Sequence, residues 1–131
     1  MDQYEKTLED MKRTLGIVPG FMKALPKEVL VAEWPLFKKY SFEETDIPPK
    51  YRELIGLAVA ANIKCPYCQL FHREAAKMNG ATEKELAEVV LLAGWTSFWS
   101  SMIHAQDYDY DTFKRETEQI GAYLQKTAGK Q

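Results

Sequence analysis

Apolar residues in this chain return every three or four positions, and almost nowhere every two. Tyr4, Leu8, Met11 and Leu15 set the pattern in the first segment, a spacing that lays one apolar stripe along a helix. The same period recurs along the chain, and no run combines strict alternation, strand-forming residues and hairpin turns. The expected fold class is therefore all-α, with about six helices. At 131 residues the chain can bury a core in one domain spanning 1–131. No internal repeat or low-complexity tract divides it.

Glycines and prolines mark the joints. The first helix is expected to end at Gly16, and GIVPGFMKALP reads as a loop around a short turn. Pro26 can open a second helix with Leu30, Trp34 and Phe37 on one side, and Pro35 is expected to kink or divide it. A third helix runs from about Pro49 to Asn62. Its YRELIGLAVAAN is apolar on most sides and rich in Gly and Ala, the composition of a buried, closely packed helix. A fourth stops at Asn79-Gly80. Thr82 and Glu85 form a capping box for a long fifth helix reaching about Gln106. DYDYD is a solvated break, and Phe113, Ile120, Tyr123 and Leu124 mark a last amphipathic helix.

The composition narrows the function classes. With 46% hydrophobic and 27% charged residues the chain has the balance of a soluble globular protein. A net charge of -2, with lysines and acids interspersed, argues against a nucleic-acid partner. MDQYEKTLED lacks the basic and apolar regions of a secretory signal. The longest nearly apolar run, Leu54 to Ile63, is about half the ~20 residues that a membrane span needs. The expectation is a cytoplasmic protein with no membrane partner. In a reducing compartment a close pair of cysteines is more often catalytic or metal-binding than structural.

Such a pair exists. Residues 64–80 read KCPYCQLFHREAAKMNG and hold both of the chain's cysteines. Proline is favoured at the first helical position, so Pro66 places Cys65 near the N-cap and Cys68 in the first turn. Unpaired N–H groups and the helix dipole stabilise a thiolate there. His72 lies four residues past Cys68 on the same face, within reach of that sulfur. A thiol of pKa about 8.5 is only ~3% thiolate at pH 7, and lowering it to about 6.5 gives roughly 75%. Three readings stay open on spacing alone: a redox dithiol, a metal or iron–sulfur site, and core cysteines. A zinc site needs four ligands; Cys65, Cys68 and His72 supply three. The N-cap position favours Cys65 as the thiolate and the histidine favours Cys68. CPYC also occurs in glutaredoxins, but there it follows a β-strand, and here LIGLAVAANIK continues a helix.

Other residues are weighed beside the cluster. Glu53, on a helix that reads as buried, needs a hydrogen-bonding partner. The alternatives are His72, reached from about one turn away through a water or a favourable crossing angle, and an ion pair with Arg73 or near Arg52. Tyr67, between the cysteines, is a weak candidate for substrate contact. His104 sits apart on the fifth helix and reads as structural. Trp95, Phe98, Trp99 and Met102 follow helical spacing and read as core or subunit interface.

Glu53, Cys65, Cys68 and His72 together spell E-x11-C-x-x-C-x3-H. With LGIVPGFMKALP before it and HREAAKMNGATEKELAEVV after it, this resembles the alkylhydroperoxidase D-like branch of the carboxymuconolactone decarboxylase superfamily over roughly residues 14–95. The resemblance implies an alkylhydroperoxidase D-like helical fold that assembles as a homotrimer or homohexamer. It implies a thiol-dependent peroxidase or disulfide reductase whose only redox group is a Cys65–Cys68 disulfide, with no other cofactor and no metal. Cys68 would attack, Cys65 would resolve, and Glu53 and His72 would relay protons. The implied partners are a hydroperoxide or disulfide substrate and a dithiol or thioredoxin-like reductant. Full alkylhydroperoxidase D proteins carry a histidine between the cysteines where this chain has Pro66-Tyr67, which implies a simpler relay. Two rivals stand beside this reading: a metal- or iron–sulfur-binding redox protein, and a non-catalytic redox-sensing assembly protein.

Overall fold

Each helix begins where its sequence offers the free N–H groups an acceptor, or a proline that removes one. A computed structural model describes residues 1–130. Asp2 caps α1 (Gln3–Leu15) through a capping box: its side chain accepts from the Glu5 N–H, and the Glu5 carboxylate accepts from the Asp2 N–H. Gly16 ends α1 in the left-handed region, at φ 83°. The turn in the next loop is a four-residue helix, α2 (Gly20–Lys23). Helix α3 (Lys27–Phe42) follows, then α4 (Pro49–Asn62) and α5 (Pro66–Met78). Thr82 and Glu85 form the expected capping box at the head of α6 (Glu83–Ala105). Helix α7 (Tyr110–Thr127) is capped by Asp109 and runs into a short 3-10 turn, Ala128–Lys130. No strand occurs among the described residues, and the all-α expectation stands.

Two apolar clusters organise the helices. Met11, Met22, Leu30 and Trp34 join α1, α2 and α3, with Tyr4, Leu8, Leu15, Val18 and Phe37 around them. Asp10 closes that cluster at its rim, accepting from Trp34 Nε1 at 2.8 Å and from Lys38 Nζ at 3.0 Å. Leu54, Leu57, Ala76 and Leu86 join α4, α5 and α6, with Ala81 and Val89 beside them. Lys50 and Glu85, 3.1 Å apart, tie the heads of α4 and α6 together.

Several expectations are met differently in the structure. Pro35 lies inside α3 without dividing it. Leu30 and Trp34 before it and Phe37 after it pack on the same cluster, so burial along the face holds the helix together through one missing hydrogen bond. Helix α4 buries only one stripe, Glu53, Leu54, Leu57 and Ala60, and leaves Tyr51, Ile55 and Val59 exposed in the single chain. Trp95, Phe98, Trp99 and Met102 are likewise outside any core, each 40–53% exposed, which leaves the interface half of that expectation. By length and composition α6 could cross a membrane. Counting unbroken apolar runs passed over it because Thr96, Ser97, Ser100 and Ser101 interrupt the run. Its first turns pack Leu86 and Val89 into the second cluster.

Candidate active site

The site forms where α5 folds back along α4. Helix α4 ends at Asn62, and Lys64 takes a left-handed conformation, φ 58°, to reverse the chain. The Cys65 N–H then donates back to the Ala60 carbonyl at 3.0 Å, which fixes where α5 starts. Pro66 occupies the first helical position and Cys65 the N-cap, as the sequence predicts. Cys65 Sγ accepts from the Cys68 N–H at 3.2 Å, the task a serine or aspartate oxygen performs at other helix starts. Cys65 and Cys68 form a disulfide, with Cα atoms 5.4 Å apart.

One turn further, the imidazole of His72 reaches across to α4. Its Nδ1 lies 2.7 Å from Glu53 Oε2, and the Glu53 side chain is only 4% exposed. The contact is direct, where the sequence left a gap of about one turn. Neither alternative ion pair forms: Arg52 donates to Thr45 Oγ1 instead, and Arg73 makes no ion pair with Glu53 among the described residues. The expected reach of His72 to Cys68 takes a different form. Among the described residues the ring makes no hydrogen bond to either sulfur; its Nδ1 lies against the Glu53 carboxylate, which accepts from it. That bond fixes the tautomer and leaves Nε2 free to exchange a proton.

The turn angle of an α-helix places Cys68 about 40° from His72 and about 60° from Phe71 around the α5 axis. Phe71 and Tyr67 line an open groove of about 660 Å³, with Leu15, Phe42, Leu70 and Met78 supplying most of its apolar wall. Cys68 therefore sits between the groove side of α5 and the relay side. Tyr67 is 84% exposed and lies on the groove, outside the core. His104 is remote in chain and role: its Nδ1 lies 2.7 Å from the Ser100 carbonyl of its own helix. Among the described residues, no group of three or more His, Cys, Asp and Glu side chains is arranged to hold a metal ion.

Sequence reasoning missed Gly56. A Cβ built there would lie 2.6 Å from both Cε1 and Nδ1 of His72. The signal was present in the sequence, a glycine three residues past the glutamate on the same helix face, but it was read only as close helix packing.

Residues 30–108 match the family model for the carboxymuconolactone decarboxylase family. Among solved structures the chain is similar to the crystal structure of an alkylhydroperoxidase AhpD core from Rhodospirillum rubrum. The two share 26% sequence identity with a TM-score of 0.72, over 84% of each chain. Comparison with the curated proteins finds no match.

Proposed function

This chain belongs to the carboxymuconolactone decarboxylase family and is alkylhydroperoxidase D-like, and from that premise we propose a thiol-dependent oxidoreductase that cycles Cys65 and Cys68 between dithiol and disulfide. The observation that carries the reading is the 2.7 Å contact between a buried carboxylate and His72, one turn past a disulfide at a helix start. A buried carboxylate is costly, and here its hydrogen bond to Nδ1 leaves the other imidazole nitrogen free, one turn along α5 from Cys68.

In the proposed cycle the Cys68 thiolate attacks the terminal oxygen of a hydroperoxide. The O–O bond breaks, the alcohol leaves with a proton, and Cys68 becomes a sulfenic acid. The Cys65 thiol attacks that sulfur, water leaves, and the disulfide closes. A dithiol or thioredoxin-like reductant then returns two electrons and two protons by thiol–disulfide exchange. His72 Nε2 exchanges the protons, and Glu53 holds the ring in the required tautomer. A partner disulfide enters the same cycle as acceptor, with Cys68 attacking sulfur instead of oxygen. Tyr67 and the groove lie on the side from which a substrate reaches Cys68. The thiols need a reducing compartment, and cytoplasmic location is part of the proposal.

Assembly is part of it too. Among the described residues, the second half of α6 and the whole of α7 bury no apolar side chain within one chain, which supports a homotrimer or homohexamer.

The test is thiol titration of the reduced protein before and after one equivalent of hydroperoxide, with metal analysis of the same sample. Loss of two thiols per chain from metal-free protein, reversed by a dithiol, is the expected result. Cys68→Ser is expected to abolish turnover, and wild-type turnover in that variant removes Cys68 from the attacking role. Thiols that react only after a chelator strips stoichiometric metal overturn the redox reading.

A further inference from the structure

Helix α4 carries a glycine in its interior, where alanine is the better helix former because glycine loses more backbone freedom on folding. Of the chain's seven glycines, six have nothing within 4 Å of a Cβ built on them. Gly56 is the exception. Its Cβ would meet three atoms of the His72 ring, Cε1 and Nδ1 at 2.6 Å and Cγ at 2.8 Å. Non-bonded carbons are at their optimum about 3.5–4.0 Å apart, so the two groups cannot share that space.

We infer that Gly56 is a positioning residue for the candidate site: its missing side chain is the slot in which the His72 ring lies to reach Glu53. Glu53 and Gly56 are three residues apart, so they occupy adjacent turns of one α4 face. The ring spans both, with Nδ1 on the carboxylate and its flank on the glycine. Phe71 stands edge-on to the ring, at 5.3 Å between centroids. The imidazole is thus held by Gly56 and Phe71, with the carboxylate at Nδ1. A methyl group at position 56 expels the ring, and the cheapest escape is rotation about the His72 side chain, which breaks the 2.7 Å contact. The claim about position rests on geometry alone; its consequence for rate rests on the relay proposed above.

The experiment compares Gly56→Ala with Gly20→Ala, a helical glycine on α2 with open space around it. Two quantities are read: the His72 ring nitrogen and Nδ1–H resonances by NMR, and the rate at which tert-butyl hydroperoxide oxidises the reduced dithiol. Gly56→Ala is expected to abolish the Nδ1–H resonance and slow oxidation at least tenfold, and Gly20→Ala to leave both at wild-type values. In a His72→Ala background the ring is gone, so adding Gly56→Ala is expected to raise the melting temperature and cost no further rate. A wild-type His72 resonance in Gly56→Ala overturns the inference. So does a double variant that melts below His72→Ala, and that comparison decides the matter if Gly56→Ala alone does not fold. A lost resonance with an unchanged oxidation rate upholds the positioning and removes the relay instead.

Discussion

At the scale of single residues, two carboxylates carry much of the polar order in the chain. Glu53 is buried against one histidine, whereas Asp10 sits at a rim and accepts from Trp34, Lys38 and Arg13. The Trp34 indole, then Lys38 and Arg13, hold the Asp10 carboxyl well below the usual carboxylate range. A folded-state value below the unfolded one, about 3.9, stabilises the fold above that pH and is lost as the pH falls through the folded value. Asp10→Asn is therefore expected to destabilise at neutral pH, by about 1–3 kcal/mol for hydrogen bonds involving a charged group. The deficit should shrink as the pH drops below about 4. Urea melts of both proteins between about pH 3 and pH 7 check this, and a deficit that does not change with pH excludes the charge as its cause. The cysteine pair was legible at this scale because proline fixes the helix start, and with it the N-cap place of Cys65. The Glu53–His72 contact was only half legible. Spacing along one helix follows from sequence, but a bond between α4 and α5 depends on how closely two backbones approach, and here that approach depends on a glycine.

Among the elements, α3 is the most informative. A proline inside a helix removes one backbone donor and crowds the carbonyl four residues back, at a cost of about 3 kcal/mol. Read locally, that predicts a kink or a division at Pro35, and the division does not occur because Trp34 and Leu30 hold the helix against α1. The local cost remains although the helix survives. Pro35→Ala is accordingly expected to stabilise the protein by about 1–3 kcal/mol, seen as a higher denaturation midpoint with unchanged slope. No gain would mean that α3 has already relaxed around the proline. Helix boundaries were legible almost throughout, since the capping box at Thr82 and the stops at Gly16 and Gly80 are local chemistry. What sequence withheld was the fate of apolar faces. Trp34 and Trp95 belong to similar helical patterns, yet one is buried and the other is half exposed.

For the whole molecule that difference is decisive. Both core clusters lie in the first two thirds of the chain, within residues 11–86. Beyond Leu86, α6 buries nothing fully, and α7 has no buried residue although Phe113, Ile120 and Leu124 recur at helical spacing. Isolated amphipathic helices are marginal in water, and α7, which buries no residue within one chain, gains stability from any surface that covers its apolar face. If other copies supply it, as the proposed assembly holds, folding and association become one equilibrium. The melting temperature is then expected to rise with protein concentration, by an amount that calorimetry over a hundredfold dilution series can read. A melting temperature independent of concentration overturns the assembly. On the proposed assembly, the bare faces of α6 and α7 give the chain a stability that belongs to a population of copies. Dilution would then act on it as a denaturant, and the amount of protein in a cell would become one of the conditions under which it folds.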